Sequence, residues 1–107
     1  MGGINIYCGS FQGEDKSGSA FEDVLDDLSI LADANTLSVI SRIKLSLEDA
    51  SDHILVFPDD ASDLIEPLRA YNATSTTLEM ERHYCSRNLL KACETAAAEG
   101  EPVALVW

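Results

Sequence analysis

Two adjacent carboxylates, Asp59 and Asp60, stand directly behind the apolar run Ile54-Leu55-Val56-Phe57 and the Pro58 that halts it. Such a run reads as a buried strand, and in α/β domains ligands bind at the carboxyl ends of strands. The same edge gathers Gly9, Ser10 and Phe11, which follow the apolar stretch "INIYCG", and also Ser62, just past the acids. Helix N-termini there offer free backbone N–H groups and the positive end of a dipole, a ready anion site. Asp60 can fill that position itself as the N-cap of a short helix from about Ala61. One carboxylate suffices for a cap, so the second needs a ligand or a surface role. Arg42 and Lys44 form a basic couple in an acidic chain, and pairing with the surplus acids is one reading of them.

The elements that must position these residues follow from periodicity. "INIYCG" (4–9) reads as a strand and "SFQGEDKSG" (10–18) as a loop. Ser19 and Glu22 have capping-box form. Behind them Phe21, Val24, Leu25, Leu28, Leu31 and Ala32 recur at helical spacing. Asn35-Thr36 break and recap the chain. A second helix runs to about Ala50, with Leu37, Ile40, Lys44 and Leu47 along one side. Strand 54–57 and the short helix come next, then "AYNATSTT" (70–77) as a loop or weak edge strand. Thr76 and Glu79 make another capping box, opening a helix that Gly100 ends. On that helix Leu78, Cys85, Leu89 and Cys93 face the core, Tyr84 and His83 lie at its margin, and Glu81, Arg82, Lys91 and Glu94 face water. "PVALVW" (102–107) is the last strand. Strands separated by helices predict an α/β fold: a small Rossmann-like three-layer sandwich, one domain over 1–107. Its parallel sheet has three strands, 4–8, 54–57 and 103–106, and room for a fourth at 71–76.

"IYCGSFQGEDKSGSAFEDVLDDLSILAD" resembles the first strand and helix of the lonely-guy (lysine-decarboxylase-like) phosphoribohydrolases. "SRIKLSLEDASDHILVFPDDASDLIEPL" is similar to that family's arginine-lysine helix, strand and P-G-G-x-G-T-x-x-E loop. The resemblance sets Arg42 on the family's arginine, Lys44 one place beyond its lysine, Pro58 on the proline and Glu66 on the closing glutamate. It implies that Arg42 and Glu66 would serve cleavage of an N-glycosidic bond. The glycines that cradle a phosphate are replaced by Asp59 and Asp60, and the next glycine-threonine pair by Ser62-Asp63. A carboxylate about 4 Å from a phosphate costs roughly 4 kcal/mol at an effective dielectric near 20. Nucleoside 2-deoxyribosyltransferases are similar in "IYCGSF" and "LEDASDHILVF", and that resemblance makes Glu79, in "ATSTTLEMERHYC", the counterpart of a nucleophilic glutamate. A glutamate nucleophile with a second carboxylate is sound glycosyl-transfer chemistry.

Composition bounds the rest. At 107 residues, with 46 % apolar and 24 % charged, the chain can build a core without staples. No apolar run approaches the roughly 18 residues of a membrane span, and "MGGINIYCGSF" lacks the form of a secretory signal. Cys8, Cys85 and Cys93 form no CxxC pair, so reduced thiols in the cytoplasm are expected. His53 and His83 lack metal-ligand spacing to a cysteine; no metal or other cofactor is expected. Nineteen acids against seven bases give −12, with a pI near 4.2. That surface repels nucleic acid and anionic membrane, and suits either a solvated acidic face or a basic partner.

The leading expectation is a non-catalytic acidic binding protein for a nucleotide-type ligand or a basic protein partner. An N-glycosidic hydrolase or transferase using Glu66 or Glu79 is the rival. A small phage- or plasmid-type inhibitor, offering its acids to a basic nucleic-acid enzyme, is the third reading. A last strand exposed as far as Trp107 would permit homodimerisation edge to edge.

Overall fold

The computed structural model describes residues 4–13, 18–31, 33–73 and 80–107. Their order is β1 (Asn5–Cys8), β2 (Phe11–Gln12), α1 (Gly18–Leu31), α2 (Ala34–Asp49), β3 (His53–Val56), α3 (Pro58–Ala73), α4 (Met80–Glu99) and β4 (Val103–Val106). They form one four-stranded sheet in the order β2-β1-β4-β3, and every neighbouring pair is antiparallel.

The parallel Rossmann-like sandwich expected from the sequence, and implied by both family resemblances, is therefore overturned. The reason is parity. One helix between two strands returns the chain to run parallel, whereas two helices return it antiparallel. α3 and α4 pack along one another between β3 and β4, so β4 enters the sheet reversed. Between β1 and β3 stand a hairpin and two helices, which leaves those two strands running alike on either side of β4. The expected fourth strand at 71–76 is not formed as read. Residues 71–73 are the last turn of α3, and 74–76 lie outside the described residues, as do Leu78 and the Thr76–Glu79 capping box. β4 sits between β1 and β3, so the last strand is not the sheet edge; edge-to-edge pairing through it is ruled out.

The loop expected at 10–18 begins with a paired strand. Cys8 faces Phe11 and Tyr7 faces Gln12 across a two-residue turn at Gly9-Ser10. Gly9 holds a φ of 51°, the positive value needed at the first position of a type II′ hairpin. A Cβ there would also run into the Glu99 carboxylate. Gly100, with φ 71°, closes α4 through its N–H to the carbonyl of Ala96, as the sequence predicts.

All four helices contribute to one buried cluster over one side of the sheet. Phe21, Val24, Leu25 and Leu28 of α1 share this core with Ile6, Cys8, Ile54, Val56, Val103 and Leu105 of the strands; α1 packs on α4, α3 and α2, while α4 and α2 lie against the sheet. α2 buries Thr36, Val39, Ile40, Ile43 and Leu47, so of the expected stripe Ile40 and Leu47 face the core while Leu37 and Lys44 do not. Asp33, not the Asn35-Thr36 pair, caps it, accepting the N–H of Thr36 at 2.9 Å. α3 buries Ala61, Leu64, Leu68 and Tyr71. α4 presents Cys85, Ser86, Leu89, Ala92, Cys93 and Ala96. These mostly small side chains let α3 and α4 approach closely. Among the described residues, no helix is long and apolar enough to cross a membrane.

Candidate functional site

The strands alternate sharply. In β3, Ile54 and Val56 are buried while His53 and Leu55 are exposed; in β1, Ile6 and Cys8 are buried while Tyr7 is exposed. An antiparallel sheet can keep one face wet, and the helices here cover only the other. The uncovered face is apolar at its centre. Register places Tyr7 opposite Ala104 and Ala104 opposite Leu55, a large–small–large row across three strands. The next row is Asn5, Val106 and His53. Phe57, two residues beyond Leu55, extends the β3 side of the patch. Tyr7, Leu55 and Phe57 are 37 %, 46 % and 61 % exposed. Among the described residues, the other large exposed apolar ones, Ile30, Leu37 and Leu45, are spread along α1 and α2.

Exposed acids stand at both ends of these strands. Asp52 precedes β3 and holds His53 Nδ1 at 2.5 Å, while its carbonyl accepts the N–H of Trp107. At the opposite end Glu101 precedes β4, beside the Gly9-Ser10 turn, and Asp59 lies in the first turn of α3 just after β3. The whole forms an apolar centre with carboxylates at its rim.

The residues singled out from sequence are dispersed. Ser10 donates its hydroxyl to Glu99 at 2.6 Å, which ties the Gly9 turn to the end of α4. Phe11 packs against the core and borders a hollow with α4. Asp59 and Asp60 lie inside α3, which begins at Pro58 rather than near Ala61. Phe57 supplies the carbonyl that accepts the N–H of Ala61, so Asp60 is not the cap. Proline is pre-shaped for the first helical position, and acids in the first turn complement the dipole. Both carboxylates thus have structural employment, and Asp60 also holds Arg42 at 2.7 Å.

Lys44 pairs with Asp26 of α1. Glu66 pairs with Arg69 at 3.0 Å, and Arg69 reaches Glu94 at 2.9 Å. Ser62 and Glu66 line a shallow hollow between α2 and α3, with Asp33 and Thr36. Arg42 and Glu66, the pair that glycosidic chemistry would need together, are engaged in separate ion pairs. Glu79 lies outside the described residues, as do the side chains of Glu81, Arg82, His83 and Tyr84.

The thiols are chemically quiet. Cys8, Cys85 and Cys93 are buried and form no disulfide with one another. Burial, and then the negative charges of Glu99 and Glu101, raise the Cys8 thiol; burial pushes Cys93 up to about 12. Neither is a ready nucleophile at neutral pH.

No family model, curated protein or solved structure matches this chain.

The sheet face was within reach of the sequence. His53, Leu55 and Phe57 alternate with Ile54 and Val56, and period 2 means one face in and one face out. Reading 54–57 as a single buried run hid that signal.

Proposed function

We propose that this chain is a non-catalytic binding protein that docks a basic protein partner on the open face of its sheet, in a reducing, cytoplasmic setting. The observation that carries the reading is the apolar row Tyr7–Ala104–Leu55, extended by Phe57 and bordered by Asp52, Asp59 and Glu101. Interfaces place large apolar and aromatic side chains at a dry centre and charge at a wet rim. With a net charge of −12, the partner is cationic, and long-range attraction would raise its rate of encounter. The same net field disfavours a long polyanion such as nucleic acid.

Two fluorescent peptides of equal positive charge test this reading. One alternates lysine with leucine and phenylalanine; the other alternates lysine with serine. The protein should bind the amphipathic peptide at least tenfold more tightly at 150 mM salt. The double variant Leu55→Ser/Phe57→Ser should lose that preference while keeping its helical circular dichroism. Equal binding of both peptides, or full preference in the variant, would show that the acids act alone and the sheet face is not a docking site.

A further inference from the structure

A second surface, on the helical side of the sheet, carries an opposite charge. Seven bases face nineteen acids in this chain, so a cation should find a carboxylate with ease. Arg42, Lys44 and Arg69 all do so. Arg87 and Lys91 have no ion pair among the described residues. They stand four apart on α4, which places two like charges on one face a single turn apart, an unfavourable arrangement. Both border the same hollow of about 570 Å³, with Phe11 of β2, Asn72 at the end of α3, Asn88, and Glu94. The Glu94 carboxylate is turned to Arg69 at 2.9 Å, so among the described residues the uncommitted charges of the hollow are the two cations.

Each part matches one part of a ligand. A guanidinium offers a planar fork to phosphate oxygens, and a lysine ammonium adds a mobile point charge. Phe11 is half-buried and offers apolar surface to a flat ring. The volume lies within the range of small-molecule sites. We infer that the hollow between β2 and the middle of α4 binds a nucleoside monophosphate, with the phosphate on Arg87 and Lys91 and the base towards Phe11. This site is separate from the open sheet face and does not depend on the docking proposal.

The test is a titration of the full chain with the 5′-monophosphates of adenosine, guanosine, cytidine and uridine, using adenosine and inorganic phosphate as controls. Calorimetry follows binding and nuclear magnetic resonance locates it. At least one monophosphate should bind in the millimolar range or tighter, and more tightly than adenosine or phosphate alone. Its affinity should fall at least tenfold in Arg87→Gln/Lys91→Gln. That variant should be no less thermally stable than the wild type, because the exchange removes a repulsion from an exposed surface. Phe11→Leu should weaken the monophosphate but leave phosphate unaffected. No binding by any of the four at 5 mM would overturn the inference, as would unchanged affinity in the double variant. Phosphate binding as tightly as every monophosphate would also overturn it, since the ring would then have no part.

Discussion

Thr36 donates its hydroxyl to the backbone carbonyl of Asp63 at 3.3 Å, and Asp63 stands four residues before Pro67. That carbonyl is the one whose helical donor a proline removes. α3 therefore continues through Pro67 to Ala73 because a buried hydroxyl from α2 serves the carbonyl that the ring leaves without a partner. A double-mutant cycle can measure the relation. Thr36→Val should cost about 1 kcal/mol in the wild type. In a Pro67→Ala background, where the N–H is restored, it should cost much less. Urea unfolding of the four proteins checks this, and strictly additive effects would contradict it.

The same helix shows where the sequence is legible and where it is not. Phe21, Val24, Leu25 and Leu28 announce α1 by spacing, Gly100 announces the end of α4, and the short apolar stretches around Ile6 and Val103 announce strands. α3 is harder to read. Phe57, with no polar side chain, stands where a capping residue is expected, and Pro67 reads as a stop until a hydroxyl more than thirty residues away is known. The antiparallel sheet is harder still, because strand direction depends on how many helices intervene. The continuity of α3 through Tyr71 decides that number, and Tyr71 resembles a strand residue. Candidate sites shared this fate. The family resemblance groups Arg42, Lys44 and Glu66, yet each ends beside a different acidic or basic neighbour.

Asp59 and Asp60 supply a second prediction. Replacing both with asparagine should lower stability, by roughly 0.3–1 kcal/mol per charge at the helix start. The loss should shrink as salt rises, because exposed charge interactions are screened. Thermal melts of wild type and Asp59→Asn/Asp60→Asn at 20 mM and 500 mM sodium chloride check it. An equal difference at both concentrations would contradict an electrostatic origin, whether in the helix dipole or in the Asp60–Arg42 pair that the variant also removes.

Cys93 supplies a third. Its thiol pKa is raised by burial to about 12 from an ordinary value near 9, so the folded protein holds this proton more tightly than the unfolded chain does. The stability it contributes is fully present below pH 9 and is lost as the pH rises from there through about 12. Cys93→Ala should flatten the fall in stability over that window relative to wild type. Thiol reagents at pH 8 should label the wild type only as fast as it opens, since all three cysteines are buried. Immediate labelling of Cys93 in the folded protein would contradict its placement in the core.

The most direct test of the docking face is a residue-by-residue map of where a cationic amphipathic ligand lands. The amide spectrum of the isotope-labelled protein should be recorded while the lysine–leucine–phenylalanine peptide is added. The largest shifts are expected at Tyr7, Leu55, Phe57, Ala104 and Val106, with smaller ones at the rim acids Asp52, Asp59 and Glu101. Shifts confined to the acidic outer faces of α1 and α2, with the sheet amides unmoved, would contradict docking on the sheet and leave the negative surface as solvated charge.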